Sequence, residues 1–277
     1  MVCGWCSICG RPGGEASEEG ASMAEAIDTH THLNHPRLHR RLPEVLERAR
    51  GAGVVGMVVV GYDVESSRLA VEIAGASPGM WAAVGVHPHD AKTFDREMLE
   101  TLRALAVRRR VVAVGETGLD FYRDLSPRDK QRDVFRMHIG LARELGLPLI
   151  VHCRQAQEEV LGIAGQEGAA PWVWHCFDGT PEQARGAVEL GMWVGFAGTV
   201  TYRSSESIRQ AAAEVPLDRI LLETDCPYLS PEPRRGGDNE PANVTLVAEA
   251  IARARGMEAG QTMMVCADNA RRAFRLE

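Results

Sequence analysis

Long hydrophobic runs are missing from this 277-residue sequence, because no apolar stretch reaches the roughly 18 residues that span a bilayer. Aromatic residues are also few, at 5% of the chain. The N-terminus lacks the basic segment followed by an apolar segment that marks a secretory signal peptide. We therefore expect a cytoplasmic protein with no membrane association, and the sequence indicates no obligate protein partner.

An excess of positive charge is missing as well. The chain has 31 Lys and Arg residues against 38 Asp and Glu residues, which gives a formal net charge of −7. This balance argues against a protein that coats long nucleic acid through a broad basic face. It is compatible with a nucleic-acid substrate held at one place, where bound metal ions and a few arginines supply the positive charge.

Residues 1–22 differ in composition from the rest of the chain. They are rich in Gly, Glu and Ser, they contain Cys3, Cys6 and Cys9, and Met23 follows them directly. We interpret this segment as a disordered tail or as an upstream start before the true one. The alternative, a metal or iron–sulfur site, lacks a fourth cysteine nearby. The segment 23–277 is then one domain, close to the roughly 250 residues of a typical eight-stranded α/β barrel.

Short β-rich runs alternate with helical patterns from residue 24 onward. Strict alternation of this kind predicts a parallel sheet, and eight units favour a closed (β/α)8 TIM barrel of the α/β class over an open sheet. No GxGxxG or GxxxxGK[ST] phosphate loop supports the open alternative. The predicted strands are Ala26–His32, Val54–Gly61, Trp81–His87, Val111–Glu116, Pro148–His152, Trp172–His175, Met192–Phe196 and Arg219–Asp225. Among the helices between them, we expect one to start with Ser126 as N-cap and Pro127 in its first turn.

Most of these predicted strands end in a residue that binds metals or transfers protons. The C-terminal ends of all strands in a parallel barrel meet at one mouth, where active sites are built. Residues spread over nearly 200 sequence positions are thereby predicted to share one site. They are His30 and His32, His87, Glu116, His152, His175 and Asp225.

The spacing of His30 and His32 predicts that both imidazoles point to the same side of a strand and hold one metal ion. His152 and His175, at matching ends of neighbouring strands, are predicted to form a second nitrogen pair. Glu116 follows the fourth strand and can bridge two cations as a carboxylate. Imidazole and carboxylate ligands suit Zn, Mn, Fe or Mg.

Asp225 is predicted to be both a ligand of the first metal and the acceptor of a proton from its water. A bound divalent ion lowers the pKa of water toward about 7 and so yields hydroxide at neutral pH. Glu223 is either a residue that orients a ligand or a buried polar residue with a partner. Four cysteines are predicted to be reduced: Cys153, Cys176, Cys226 and Cys266. The first three each follow a proposed ligand directly, and their side chains are expected to point away from it and to pack in the protein.

The ordered motifs resemble those of the TatD family of metal-dependent deoxyribonucleases, within the amidohydrolase-like barrels. The resemblance covers residues 26 to about 275. It rests on Asp28-Thr-His-Thr-His32, Gly85-Val-His-Pro-His89, Gly115-Glu-Thr-Gly-Leu-Asp120, Val151-His-Cys-Arg154, His175-Cys-Phe-Asp-Gly179, Glu223-Thr-Asp-Cys-Pro-Tyr228 and Asn239-Glu-Pro241 with Asn243. The chain departs from the family at Gln155 and Ala156, where the family often has an acidic residue.

The resemblance implies a barrel that holds two divalent metal ions and cleaves DNA phosphodiesters, often as a 3′–5′ exonuclease. By motif match, one ion is held by His30, His32 and Asp225 and the other by His152 and His175, with Glu116 between them.

Three further residues are expected to contact the substrate. His87 matches an active-site histidine of the family and is interpreted as a phosphate contact. Arg154 lies just beyond His152 and is a candidate phosphate clamp, with a surface ion pair as the alternative. Tyr228 belongs to a group of aromatic residues that can stack on a terminal base: Tyr122, Phe177, Tyr202 and Tyr228.

These observations favour a two-metal hydrolase that cleaves DNA ends or short single strands with a metal-bound hydroxide, using Mg, Mn or Zn. Asp225 and Glu116 are its predicted catalytic residues. One alternative keeps the fold and metals but cleaves an ester or amide, as in the deacylation of D-aminoacyl-tRNA, a reaction of some relatives. A second alternative is a barrel that only binds a partner, against which the full set of ligands argues.

Overall fold

The computed structural model describes residues 24–168 and 171–276. Within these ranges, each of eight parallel strands pairs with the next one along the chain, so the predicted α/β barrel is confirmed. The predictions for residues 1–22, including Cys3, Cys6 and Cys9, lie outside the described ranges. The strands are β1 (Ala26–Thr31), β2 (Val54–Val60), β3 (Met80–Val84), β4 (Val111–Asp120), β5 (Leu149–Arg154), β6 (Trp172–Trp174), β7 (Trp193–Phe196) and β8 (Ile220–Leu222).

Helices follow the strands and cover the outside of the barrel. Over the described residues they are α1 (Pro36–His39), α2 (Leu42–Gly51), α3 (Val64–Ala76), α4 (Arg96–Ala106), α5 (Arg128–Leu145), α6 (Gln157–Glu167), α7 (Pro181–Glu189), α8 (Glu206–Glu214), α9 (Val244–Arg255) and α10 (Ala259–Phe274). None of them is both long and apolar enough to cross a bilayer.

Two buried clusters reflect the alternation of side chains along each strand. One cluster takes at least one side chain from every strand, such as Ile27, Ala113 and Leu221, and adds the end of α10 around Phe274. The other packs the opposite strand faces against the surrounding helices. Because neighbouring residues of a strand point to opposite faces, the first cluster fills the barrel and the second forms the layer around it.

The predicted start of α5 is wrong. Pro127 is the N-cap in extended conformation, and no side chain caps the helix. The Ser126 hydroxyl instead donates to His89 O at 2.6 Å and accepts from Lys92 N at 3.0 Å. This hydroxyl therefore ties the loop before α5 to the loop after β3, which is a tertiary contact that no local pattern signals.

The strand ends at the mouth also differ from prediction. β3 ends three residues before His87 and β8 ends three residues before Asp225, whereas β4 runs four residues past Glu116. β4 is longer because Leu119 and Asp120 still pair with β5. Barrel closure comes after β8, where Thr31 and Cys226 form a parallel bridge.

Candidate metal centre

The six predicted ligands and His87 lie together at one end of the barrel. Four of the seven are buried and the other three, His87, His152 and Asp225, are partly buried. Their nitrogen and oxygen atoms lie close to one another. They come from β1, β4 and β5 and from the segments that follow β1, β3, β6 and β8: His30, His32, His87, Glu116, His152, His175 and Asp225.

His30 and His32 point to the same side of β1, as their spacing predicts. Their Nε2 atoms are 3.3 Å apart. Two nitrogens bound tetrahedrally to one ion at about 2.0–2.1 Å stand roughly 3.4 Å apart, so this separation fits a shared cation. Glu116 Oε2 lies 3.5 Å from His30 Nε2 and 3.7 Å from His32 Nε2, and Asp225 Oδ1 lies 3.3 Å from His32 Nε2.

The other carboxylate oxygen of Glu116 faces a different set of imidazoles. Glu116 Oε1 lies 2.8 Å from His152 Nδ1, 3.5 Å from His175 Nε2 and 3.6 Å from His87 Nε2. Its two oxygens thus face two groups of nitrogen ligands. Glu116 is fixed within β4, since its backbone N–H donates to Gly61 O at 2.9 Å.

His175 lies between the two groups. Its ring stacks on that of His30 with centroids 3.5 Å apart, and its Nε2 is 4.0 Å from Asp225 Oδ1. The His152 and His175 rings are 6.3 Å apart. His152 and His175 therefore do not contact each other, but both lie close to Glu116 Oε1. His175 also lies beside His30 and Asp225.

Burial and carboxylates act in opposite directions on the protonation of these imidazoles. Burial disfavours the charged form of His152, but Asp120 and Glu116 raise its pKa to about 9. Burial also opposes charge on His175, whereas Glu223 and Glu116 raise its pKa to about 10. Without cations, His152 and His175 are therefore protonated at neutral pH and lie beside carboxylates. Divalent ions that bind to these imidazoles displace the protons.

Asp225 lies in a short backbone bend that β8 alone would not produce. Its φ is +56°, in the left-handed region that costs a residue with a side chain about 1 kcal/mol or more. Its N–H donates to His30 O at 2.9 Å, which offsets this cost and places the carboxylate beside β1. The charges of the neighbouring histidines outweigh burial and lower the pKa of Asp225.

Asp28 supports this bend and was not predicted as a functional residue. Its Oδ1 accepts from Thr224 N at 3.0 Å and from His30 N at 3.2 Å, and its Oδ2 accepts from Thr224 Oγ1 at 2.6 Å. The side chain is wholly buried, and burial raises its pKa to about 8. It joins the two chain segments that carry His30 and Asp225, and its place in the Asp28–His32 motif was the signal.

His89 and Asp120 were also missed as site residues. Asp120 Oδ2 lies 2.8 Å from His89 Nε2 and 3.3 Å from His152 Nε2. Asp120 therefore approaches the nitrogen of His152 that faces away from Glu116. Both residues end motifs that carry the family resemblance, but their side chains meet only because the loop after β3 packs against the end of β4.

Glu223 lies beside His175, in a position compatible with the predicted orienting role. Its Oε1 lies 3.0 Å from His175 Nδ1 and also accepts from the backbone N–H of Cys176.

The prediction that Cys176 points away from the site is wrong. β6 ends at Trp174 and the φ of Cys176 is +47°, so the alternation of side chains along a strand does not extend to this residue, which lines the cavity. Cys226 and Cys266 are buried packing residues, as predicted.

A cavity of about 640 Å³ opens over these side chains. Arg154 and Tyr228, the predicted substrate contacts, both line it together with His87. Arg123 and Asp178 also lie in its wall. The cavity is large enough for a nucleotide-sized ligand, since such sites measure about 300–1,000 Å³.

Known proteins resemble this chain over nearly all of its described length. The sequence pattern of TatD related DNases matches residues 27–275. A metal-dependent hydrolase of Bacillus subtilis, YabD, described as uncharacterized, is 41% identical over 252 residues, or 90% of this chain and 99% of YabD. The 3′-5′ ssDNA/RNA exonuclease TatD of Pantoea vagans is 38% identical over 246 residues, or 84% of this chain and 93% of that relative.

A solved structure agrees with these sequence matches. The crystal structure of YjjV, a TatD homologue from Escherichia coli K12, superposes with a TM-score of 0.86 at 29% identity, over 92% of this chain and 99% of YjjV. The eight-stranded barrel and the histidine and carboxylate residues at its mouth are consistent with both comparisons. The chain belongs to the TatD related DNase family and is a metal-dependent hydrolase.

Proposed function

We propose that this chain is a nuclease that removes nucleotides from the 3′ end of single-stranded DNA with the help of two divalent cations. The observation that carries the proposal is the position of Glu116, whose two oxygens face separate groups of imidazoles at 2.8–3.7 Å. A carboxylate placed in this way is suited to bridge two cations. Relatives named 3′-5′ ssDNA/RNA exonuclease support the choice of substrate.

The ligand sets are those that the family resemblance implies, and these distances are compatible with them. His30, His32 and Asp225 would hold one cation, and His152 and His175 the other, with Glu116 between them. When bound, two such cations act as Lewis acids that lower the pKa of water and neutralise charge on phosphate oxygens.

The chain's own groups supply proton transfer and positioning. Asp225 is ionised at neutral pH because the surrounding histidines lower its pKa, so Oδ1 can accept a proton from the attacking water. His87 has a pKa held well below its usual value by burial and by His152, which leaves a neutral imidazole to contact the phosphate. Arg154 and Tyr228 in the cavity wall would bind the phosphate and the terminal base.

The test combines metal analysis with product sizing. The purified protein, reconstituted with Mn²⁺, Mg²⁺ or Zn²⁺, is given single-stranded DNA labelled at its 5′ end, and we expect a ladder that shortens from the 3′ end. Glu116→Gln should lose at least one cation per chain and lower the rate more than 100-fold, because its amide cannot bridge two ions. Glu189→Gln, an exposed carboxylate on α7, is the matched control.

Several outcomes would count against the nuclease. Cleavage that persists in chelator, or full activity of Glu116→Gln, would contradict the two-cation proposal. Hydrolysis of D-aminoacyl-tRNA by protein that leaves DNA intact would support the deacylase alternative.

A further inference from the structure

The loop from Phe121 to Ser126, at the end of β4, is held firmly in place. Asp120 Oδ1 accepts from Tyr122 N at 3.0 Å and from Arg123 N at 2.7 Å. The buried Gln131 side chain accepts from Asp120 N at 2.8 Å and donates to Ser126 O at 2.8 Å. The loop therefore presents its outward side chains from a fixed backbone.

Tyr122 is the aromatic residue that this loop exposes. Tyr122 is 54% exposed. It does not itself line the cavity, but its neighbour Arg123 and its contact Arg154 do. The Arg154 guanidinium carbon lies 4.7 Å from the ring centroid and covers one face of the ring. The exposure of Tyr122 leaves other parts of its ring open to solvent. Arg154 forms no ion pair among the described residues, although its charge acts on Asp178 in the cavity wall.

Of the four aromatic residues predicted to stack on a base, Tyr122 and Tyr228 are the two that are exposed. Each has an arginine on one face of its ring, and the Arg37 guanidinium carbon lies 5.2 Å from the Tyr228 ring centroid. Phe177 is wholly buried. The Tyr202 hydroxyl donates to Ser230 O at 3.1 Å, and its ring lies under Arg235. Tyr228 is 43% exposed, lines the cavity and lies 6.1 Å from the His32 ring.

Tyr122 and Tyr228 lie on opposite sides of the mouth. Tyr122 follows β4 and Tyr228 follows β8, and these strands are four places apart in a ring of eight. The proposed metal ligands lie between them. A phosphodiester over the ligands would therefore have one tyrosine on each side, at the positions of its two flanking nucleosides.

We propose that Tyr122 and Arg154 form a nucleobase site, in which the base of one nucleotide flanking the scissile phosphate stacks on the exposed ring of the tyrosine. This proposal rests on the proposed nuclease function and names a specificity residue for it. Tyr228 takes the base on the other side, and the unpaired charge of Arg154 attracts the phosphate of the nucleotide bound at Tyr122. Any base can stack on an aromatic ring, so this site favours single strands that carry their bases but does not distinguish one sequence from another.

The test uses single-stranded hexanucleotides that each carry one abasic nucleotide, with KM and kcat measured on the metal-loaded protein. For the wild type, an abasic nucleotide at one position next to the scissile bond should raise KM about tenfold. Tyr122→Ala should raise KM for the intact oligonucleotide by a similar factor, and the abasic nucleotide at that position should then add nothing. Tyr122→Trp should restore the wild-type KM.

Controls separate this site from general effects. Met137→Ala changes a side chain that is 47% exposed on α5, away from the mouth, and should behave as the wild type. Quenching of 2-aminopurine placed at the same oligonucleotide position, present in wild type and lost in Tyr122→Ala, reports stacking without relying on the rate. A wild-type KM in Tyr122→Ala, or equal losses at every abasic position in both proteins, would overturn the nucleobase site. If the wild type cuts no oligonucleotide at all, the nuclease proposal itself fails.

Discussion

Glu223 shows how one buried side chain determines the orientation of a proposed ligand. It is wholly buried and its Oε1 lies 3.0 Å from His175 Nδ1. On the other side of the carboxylate stands Gly195 of β7, where an added methyl group would lie 2.5 Å from Glu223 Oε2. Glycine is required here because the carboxylate occupies the space that any side chain would need.

We therefore predict that Gly195→Ala weakens metal binding without touching a ligand. The carboxylate must shift, His175 loses its orientation, and the affinity for one cation should fall about 10- to 100-fold, as for other residues that support a ligand. Titration of Zn²⁺ against a competing chelator measures the change. Gly140→Ala is the control, because it lies in α5 with open space around it and should stabilise the helix slightly. Unchanged affinity in Gly195→Ala would show that Glu223 does not orient His175.

At the scale of elements, α5 contains a buried histidine outside the metal centre. The His138 Nε2 accepts from Val86 N at 3.1 Å, and Nδ1 lies 2.8 Å from Val134 O. Both contacts need a neutral ring with its proton on Nδ1. This bond ties α5 to the segment between β3 and His87.

The pH dependence of stability follows from this contact. Burial lowers the pKa of His138 to about 4, from 6.5 in the unfolded chain, so the unfolded chain binds a proton more readily. The contribution of neutral His138 to the free energy of unfolding is fully present above pH 6.5 and is lost as the pH falls toward 4. The loss amounts to about 3 kcal/mol. Urea unfolding of chelator-treated protein at several pH values measures it.

His138→Gln provides the comparison for that measurement. Its amide oxygen can still accept from Val86 N but does not titrate, so we expect a shallower fall in the free energy of unfolding between pH 6.5 and 4. Parallel curves for the wild type and the variant would mean that His138 is solvated or already charged in the folded state. Because the metal ligands are unchanged in both proteins, their titration cancels in the difference.

Elements could be predicted better than their ends. Alternating β-rich and helical segments identified all eight strands, because burial on both faces leaves an apolar signature. The predicted strand ends were wrong where tertiary contacts determine them. β4 continues past Glu116 because it still pairs with β5, and Cys176 turns into the cavity because its backbone is left-handed. For the same reason His89 and Asp120 were missed, since their contact depends on how the loop after β3 packs against the end of β4.

For the whole molecule, metals are expected to contribute to stability as well as to chemistry. Cations that bind only the folded barrel stabilise it by about 2.7 kcal/mol at 100 times their Kd. We predict that chelation lowers the thermal midpoint by about 5–10 °C and that adding back Mn²⁺ or Zn²⁺ restores it. Differential scanning calorimetry with and without chelator measures the shift. Glu116→Gln should show a clearly smaller shift, and equal shifts in both proteins would place the stabilising ions elsewhere.

The closure between Thr31 and Cys226 makes the proposed metal centre depend on residues from both ends of the barrel sequence. His30 is among the first residues of the barrel, and Asp225, which donates its backbone N–H to His30 O, comes almost two hundred residues later. A fragment that ends before Asp225 lacks this ligand and the bridge between Thr31 and Cys226, so it cannot assemble the complete set of six proposed ligands.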